Sequence, residues 1–444
     1  MSFLRTVYLY NSLQNNIKKS REEILKLREK KLKKILRFVL NNVPFYKEYY
    51  DSFGITIKNI ESTDISELPK INKNILMENF NKFFKDSKIN KQVVENFLSN
   101  NPDPRALLFN KYYVVHSSGT SGTIGYYLYG KKEWDFIKAI STRMFPHFDL
   151  TRKKYAFIGA VDGHYAAISL FLSPINQLEQ YFYKDYLIMD INKPINEYID
   201  ILNKFKPDNL TGYPNGIKSI ALYQKQKILN VNPETIVTGG EPLFKETKLI
   251  LKEAWPEAKI VNSYATSESL AMGVSREDLD YMYLYDDAVY VEIEKEGLLL
   301  TNLYNYTQPL IRYEISDILK PVEKENTMWP FTPIEDVVGR NELIPYFINE
   351  KKEKDFIHPI VIAEFFVKGV NRFQFVQTGL DTFTFRIVVS KDKDLNSVLK
   401  DTKMRLQNIL EKKQMRNVKF TIEVVEDIRP DEKTGKFNLV KIEF

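Results

Sequence analysis

Between residues 150 and 270 the chain alternates short apolar runs with amphipathic stretches, and this alternation restricts the fold more than any other feature. Tyr155-Ala-Phe-Ile-Gly-Ala-Val161, Tyr186-Leu-Ile-Met-Asp-Ile191, Thr235-Ile-Val-Thr238 and Lys259-Ile-Val-Asn262 have the length and composition of buried strands. Between the later ones, Leu243, Thr247, Ile250 or Leu251, and Ala254 share one face of a helix running to Trp255. Strands spaced by helices predict βαβ units around a parallel or mixed sheet. In such sheets ligand sites collect where loops leave the carboxyl ends of strands.

A chain of 444 residues is long for one ordinary core, so the expected class is α/β, with a large N-terminal α/β domain and a small mobile α+β C-terminal domain. The large domain is assigned residues 1–339, with a helical segment over about 1–60, and the small one residues 340–444. The boundary falls at Arg340 to Glu342, where an apolar segment gives way to the charged stretch Asn349 to Asp355. Beyond it, Phe373–Gln377 and Phe383–Val389 read as a strand pair, Asp394 to Lys412 as a helix, and Val418–Val425 as a further strand.

At the N-terminal end, Ser20 and Glu23 form a capping box for a helix over residues 20–42. Ile24, Leu25, Leu32, Ile35, Leu36, Val39 and Leu40 make its apolar face, and a run of basic residues from Lys26 to Arg37 makes the other. That basic face is expected to be solvated. The 64 basic and 58 acidic residues nearly balance, so charge does not point to nucleic acid. With no cysteine there is no disulfide, thiolate metal site or cysteine nucleophile. No secretory signal or run of 18 apolar residues is present, so no membrane insertion is expected and the cytoplasm is the expected location.

The segment richest in chemistry is His116-Ser-Ser-Gly-Thr-Ser-Gly-Thr-Ile-Gly125, directly after the apolar Tyr112-Tyr-Val-Val115. Its glycines permit tight turns that aim backbone N–H groups at anionic oxygens, and Ser117, Ser118, Thr120, Ser121 and Thr123 add hydroxyl donors. No Gly-Lys-Ser/Thr follows, so this is not a Walker A loop. Further on come Thr238-Gly-Gly-Glu-Pro-Leu243, Asn262-Ser-Tyr-Ala-Thr-Ser-Glu268, Pro309-Leu-Ile-Arg-Tyr-Glu-Ile-Ser-Asp317, Gly339-Arg340 and Thr434-Gly-Lys436.

That ordered set resembles the adenylate-forming superfamily, which includes acyl- and aryl-CoA synthetases, and most of all its phenylacetate–CoA ligase branch with its capsule-biosynthesis members. SSGTSG resembles that branch's SSGTTG loop, YATSE its YGxTE, PLIRYEISD its PLIRYRTGD and GRNE its GRxDD. The resemblance implies ATP and Mg²⁺ as cofactors and activation of a small-molecule carboxylic acid as an acyl-AMP. It assigns Ser117, Ser118, Gly119, Thr120, Ser121 and Gly122 to the phosphates, and Gly240, Glu241 and Pro242 to the nucleotide pocket. Tyr264 would stack on adenine, Asp317 would accept the ribose hydroxyls, and Arg340 would pair with the nucleotide's polar edge. Ser267 would meet the α-phosphate and Glu268 the Mg²⁺, a hard cation that prefers oxygen ligands. Lys436 would neutralise charge between the attacking carboxylate and the triphosphate.

In the resembled family the small domain then rotates about a hinge, here Glu342, to bring in the acceptor. CoA is the family's usual acceptor, received partly by a glycine-containing loop. Here Leu343 to Pro359 contains no glycine, so an amine acceptor, giving an amide in surface-polysaccharide or secondary-metabolite biosynthesis, stands beside CoA. Ala265 also replaces the motif's usual glycine. His164, Tyr165 and Tyr213 lie in segments expected to line the acyl pocket, although His164 could equally be a core histidine. Glu268 could alternatively cap a following helix, and Arg312 could be a structural ion-pair partner. A catalytically inactive nucleotide-binding protein is the reading from another class.

Overall fold

A computed structural model describes residues 3–117, 124–145, 153–173, 184–276, 281–295, 297–323, 327–335, 343–357, 361–362, 365–390, 393–428 and 438–444. The N-terminal part is helical: α1 (Phe3–Ile17), α2 (Arg21–Asn42), α3 (Pro44–Asp51), α4 (Lys73–Glu78) and α5 (Lys91–Asn100). The α2 N-terminus carries the expected capping box, with Ser20 Oγ accepting from Glu23 N and Ser20 N donating to the Glu23 carboxylate. Ile24, Leu32, Ile35, Leu36, Val39 and Leu40 are buried along one stripe, as the spacing predicts.

The opposite, basic face of α2 is exposed at Lys26, Lys30, Lys34 and Arg37, as expected, and departs from a solvated surface at Arg28 and Lys31. Arg21 and Arg28 both pair with Asp286, Arg28 also lies over the Tyr290 ring, and Lys31 donates to the Asp287 carbonyl. Lys34 sits over Tyr306, and Arg37 pairs with Glu61. Part of the positive charge, at Arg21, Arg28 and Lys31, therefore helps dock the helix, while the rest faces solvent. Among the described residues, no helix is long and apolar enough to cross a membrane.

A hairpin follows, β1 (Tyr112–His116) against β2 (Tyr126–Gly130), and then α6 (Lys131–Ser141). The central sheet comprises β3 (Lys153–Gly159), β4 (Lys184–Asp190), β5 (Asn209–Gly212), β6 (Thr235–Gly239), β7 (Lys259–Thr266), β8 (Ser269–Ser275), β9 (Met282–Leu284) and a later strand, Pro333–Ile334. Strands β4, β3, β5, β6 and β7 lie side by side and parallel, joined through α7 (Ala166–Leu172), α8 (Ile199–Phe205), α9 (Pro214–Lys225) and α10 (Lys245–Ala254). From β7 onward the pairing turns antiparallel. The mixed α/β architecture is the one the alternation predicts, with one strand it did not single out. Strand β5 is short and polar at its start, so Asn209-Leu-Thr-Gly212 carries almost no strand signal of its own.

A three-stranded antiparallel sheet, β10 (Val289–Glu294), β11 (Gly297–Asn302) and β12 (Tyr313–Ile315), packs beside it, and β13 is the Pro333–Ile334 strand. Next comes a hairpin, β14 (Tyr346–Ile348) with β15 (Lys354–Phe356). The last part is a four-stranded sheet of β16 (Val370–Gln377), β17 (Thr382–Val389), β18 (Lys419–Val424) and β19 (Val440–Ile442), backed by α11 (Leu395–Lys412). Asp394 caps α11 through Ser397 N, and Phe347, Phe365, Phe373, Phe375, Phe383 and Phe385 are buried around this sheet.

Candidate active site

The carboxyl ends of the parallel strands bring the expected segments to one edge of the sheet. Strand β3 leads into 160–165, β5 into Tyr213, β6 into Gly240-Glu241-Pro242, and β7 into Ser267-Glu268. The fit at β5 and β6 is tight for steric reasons. Gly212 has φ +144°, and a Cβ there would stand 2.0 Å from the Ile158 carbonyl oxygen. Gly240 has φ +80°, and its Cβ would stand 2.9 Å from the buried Tyr213 ring. Glu241 accepts from Asn215, through backbone N at 3.3 Å and Nδ2 at 3.1 Å.

The serine-rich segment is the connection of the β1–β2 hairpin, and its neck is closed by two hydrogen bonds. Ser117 N donates to the Gly125 carbonyl at 2.8 Å, and Gly125 N donates back to Ser117 Oγ at 2.9 Å. Ser118, Gly119, Thr120, Ser121 and Gly122 lie outside the described residues. The same Ser117 hydroxyl accepts from Lys73 Nζ at 3.2 Å. Sequence reasoning missed this lysine, which comes from α4 in the helical N-terminal part; an isolated lysine there carries no local signal.

This hairpin docks on the β7–β8 turn. Tyr129 OH donates to the Ser267 carbonyl at 2.7 Å, and Ser267 Oγ lies 3.4 Å from the His116 carbonyl. Tyr127 OH donates to Glu268 Oε1 at 2.6 Å and in turn accepts from the Tyr313 hydroxyl at 2.9 Å. Glu268 occupies a two-residue turn between strands, so the idea that it caps a helix is wrong: β8 follows directly. From β12, the chain reaches Asp317, whose Oδ2 accepts from Tyr264 OH at 2.9 Å. Burial pushes the Tyr264 phenol far above its ordinary value, and the Asp317 charge adds to that, so it acts as a donor. Arg312 is an ion-pair partner, with Nε 2.7 Å from Glu292 Oε1 and Nη1 donating to the Ser66 carbonyl at 2.8 Å.

Three of the six motifs thus meet through hydrogen bonds: the base of the serine loop, the Tyr264–Glu268 segment and the Tyr313–Asp317 segment. The remaining residues fall elsewhere. His164 is a buried core histidine whose Nε2 donates to the Asn101 carbonyl at 2.7 Å, with Nδ1 lacking a partner among the described residues. Burial lowers its pKa, and burial also lowers that of His116, to about 3, so both rings are neutral. Tyr165 is buried, with its hydroxyl accepting from Arg405 Nη2 at 3.2 Å. That contact belongs to a seam along which α11 covers the 160–165 segment. Lys412 pairs there with Asp162 and, at 3.3 Å, with Asp190, and Phe366 stacks on His116. Arg340, Glu342 and Lys436 lie outside the described residues.

The glycine-free segment after the hinge position forms the β14–β15 hairpin. Asn349 Oδ1 accepts from Lys351 N and Glu353 N, and Lys352 adopts φ +63°. An asparagine side chain thus organises a turn in which glycine would be at ease. Among the described residues, no group of three or more His, Asp or Glu side chains could hold a metal ion.

Comparisons with known proteins place this geometry in context. Residues 350–443 match the family model described as CapK C-terminal domain. The chain is 24% identical over 420 residues to protein CapK of Staphylococcus aureus, covering 88% of this chain and 84% of that protein. It is 24% identical over 335 residues to phenylacetate-coenzyme A ligase of Aromatoleum evansii, 68% of each chain. Over 132 residues it is 30% identical to indoleacetate–lysine synthetase of Pseudomonas savastanoi, 29% of this chain and 33% of that one. A crystal structure of 2-hydroxyisobutyryl-CoA ligase superposes with TM-score 0.60 at 17% identity, covering 95% of this chain and 90% of that one, which establishes the fold.

Proposed function

We infer that this chain, a member of the adenylate-forming superfamily in its phenylacetate–CoA ligase-like, CapK branch, is an ATP-dependent ligase that activates a small carboxylic acid. The acid's carboxylate oxygen attacks the α-phosphorus of ATP, the bond to the β-phosphate oxygen breaks, and acyl-AMP and pyrophosphate form. The observation that carries this reading is the hydrogen-bonded junction of three motifs at the carboxyl edge of the sheet: Ser117 with Gly125, Glu268 with Tyr127 and through it Tyr313, and Tyr264 with Asp317.

Each residue has a physical task. The backbone and hydroxyls of residues 117–122 surround the phosphates, and Lys73 adds a cation at the neck of that loop. Tyr264, Gly240, Glu241 and Pro242 form the adenine side, Asp317 receives the ribose, and Ser267 donates to the α-phosphate. Arg340 holds the polar edge of the nucleotide. Lys436 stabilises the charge that gathers as the α-phosphorus is attacked. Mg²⁺ fits the donor set: Glu268 is a hard oxygen ligand, and a cation that keeps several waters and binds substrate phosphates needs no all-protein cage. When bound, it neutralises charge on the phosphates.

Residues 340–444 then act as a small mobile domain turning about Glu342 to present the acceptor. Tyr165 and Tyr213 border the acid, and His164 supports that wall from the core. The leading acceptor is the thiol of CoA. An amine acceptor has one observation in its favour: the hairpin after the hinge is glycine-free and turned by Asn349, unlike the loop that receives CoA's arm in the resembled family. Joint presence of Lys436, Glu268 and Asp317 speaks against a catalytically inactive nucleotide binder. The deciding experiment measures acid-dependent ATP–pyrophosphate exchange across a panel of carboxylic acids, then identifies products formed with CoA and with amines by mass spectrometry. Exchange with no acid overturns the adenylation reading, and rapid saturable thioester formation overturns the amine one.

A further inference from the structure

The Glu268 side chain is held unusually firmly for a residue in a two-residue turn. The two carbonyls of the turn are pinned first: Tyr129 OH donates to the Ser267 carbonyl at 2.7 Å and Asn302 Nδ2 to the Glu268 carbonyl at 3.2 Å. What remains is rotation of the carboxylate, and the 2.6 Å bond from Tyr127 OH to Oε1 removes it. Tyr313 stands behind, its hydroxyl donating to the Tyr127 oxygen at 2.9 Å. Both tyrosines are 1% exposed, so neither hydroxyl can exchange its partner for water. A carboxylate offers about four acceptor positions, and the one taken by Tyr127 leaves the others for a cation.

The two rings come from different places in the sequence and meet only here. Tyr127 lies on β2, two residues beyond the serine loop, and Tyr313 opens β12. Gly125 explains how Tyr127 reaches: a Cβ on Gly125 would stand 2.6 Å from the Tyr127 hydroxyl oxygen and 2.9 Å from Cε2. The hydroxyl therefore lies against the last glycine of the loop, and the neck bond from Gly125 N to Ser117 Oγ fixes that glycine. Loop neck, tyrosine and carboxylate form one chain of contacts.

We propose that Tyr127 and Tyr313 are positioning residues that orient the Glu268 carboxylate toward the nucleotide-bound divalent cation, coupling the base of the serine loop to metal binding. The proposal rests on the adenylation reading for the identity of the cation site and goes beyond it in naming what sets the ligand. Partners of this kind behind a metal ligand typically contribute about 10- to 100-fold to metal affinity.

The test compares binding of ATP in Mg²⁺ and in EDTA by calorimetry, for the wild type, Tyr127→Phe, Tyr313→Phe, Glu268→Gln and Tyr127→Phe combined with Glu268→Gln. Each Phe variant keeps the ring and removes only the hydroxyl. Expected are metal-free ATP affinities within about twofold of wild type, and Mg²⁺-ATP affinity about tenfold weaker in Tyr127→Phe. In the Glu268→Gln background, Tyr127→Phe adds nothing, because the hydroxyl acts through the carboxylate. Gly125→Ala, which drives the ring away, reproduces the Tyr127→Phe ratio. The proposal is overturned if the Phe variants keep the wild-type ratio, if they weaken both forms of ATP equally, or if the effects add. It is equally overturned if wild type shows no Mg²⁺ preference, or if both Phe variants fail to fold by circular dichroism, since the hydroxyls then serve the fold. Failure of adenylation looks different: Mg²⁺-ATP binds, no acid supports exchange, and the binding ratios still decide the tyrosines.

Discussion

Asp287→Asn should destabilise the protein by about 3–5 kcal/mol, the range for removing one member of a buried ion pair. Asp287 and Arg143 side chains are both 0% exposed and form a bidentate pair, with Nη1 2.9 Å from Oδ1 and Nη2 2.7 Å from Oδ2. Asn16 of α1 donates to the same carboxylate at 2.8 Å, and Lys31 of α2 donates to the Asp287 carbonyl. The pair therefore ties both N-terminal helices to the turn before β10. With an amide there, Arg143 keeps at most one neutral acceptor from residue 287 beside the Leu13 carbonyl and the faces of Tyr285 and Phe331, and its Nε has no partner already. A guanidinium cannot deprotonate to escape burial, so the full cost falls on the folded state. Urea denaturation of both proteins reads the difference. Its pH dependence is a second check. Burial acts to raise the Asp287 pKa, but the Arg143 charge and hydrogen bonds, with Lys31 and Asn16, outweigh it and hold the carboxyl below its ordinary value. A lowered carboxylate pKa stabilises above the unfolded value of about 3.9 and is lost as pH falls through the folded one. The gap between wild type and variant should thus persist at neutral pH and narrow below about pH 4. A loss under about 1 kcal/mol at pH 7 would refute the assignment of Asp287 as the anchor.

Other outcomes follow from the site. Lys436→Ala should abolish pyrophosphate exchange while sparing transfer from pre-made acyl-AMP; equal loss of both steps removes it from the adenylating role. Lys73→Ala should raise the KM for ATP about tenfold, the scale of one charge-assisted hydrogen bond, with an unchanged melting temperature; an unchanged KM dismisses the lysine. His116, held neutral with a pKa of about 3 by burial, should make the protein lose stability as pH falls from about 6.5, because the unfolded chain takes up a proton that the folded one refuses. His116→Phe should shrink that acid limb, leaving the part owed to His164, and an unchanged profile contradicts it.

The local grammar of the chain was readable. The Ser20–Glu23 box, the β6 and β7 strands, and the helix α11 appear where spacing and capping place them. What could not be read was partnership at long range. The basic face of α2 is solvated for the most part, as read, but the docking of Arg28 and Lys31 was not legible because Asp286 and Asp287 lie more than 240 residues away. The helix-cap alternative for Glu268 arose because a carboxylate after Thr-Ser is also what a helix start looks like; only the pairing of β7 with β8 decides between them. At His164 the reading of a core histidine, offered beside a ligand contact, is the one the fold bears out: the ring is buried and its Nε2 donates to the Asn101 carbonyl. Lys73 and Tyr127 carried no motif of their own, and Tyr313, though inside the Pro309–Asp317 motif, had no role assigned to it, since their meaning lies in what they touch after folding.

The central claim is the formation of acyl-AMP, and acid-dependent ATP–pyrophosphate exchange tests it most directly. Incubation with Mg²⁺-ATP, labelled pyrophosphate and a broad panel of carboxylic acids should return label into ATP with at least one acid, and Glu268→Gln and Lys436→Ala should abolish it. Binding of Mg²⁺-ATP with no exchange for any acid, or exchange that survives both substitutions, would contradict the account.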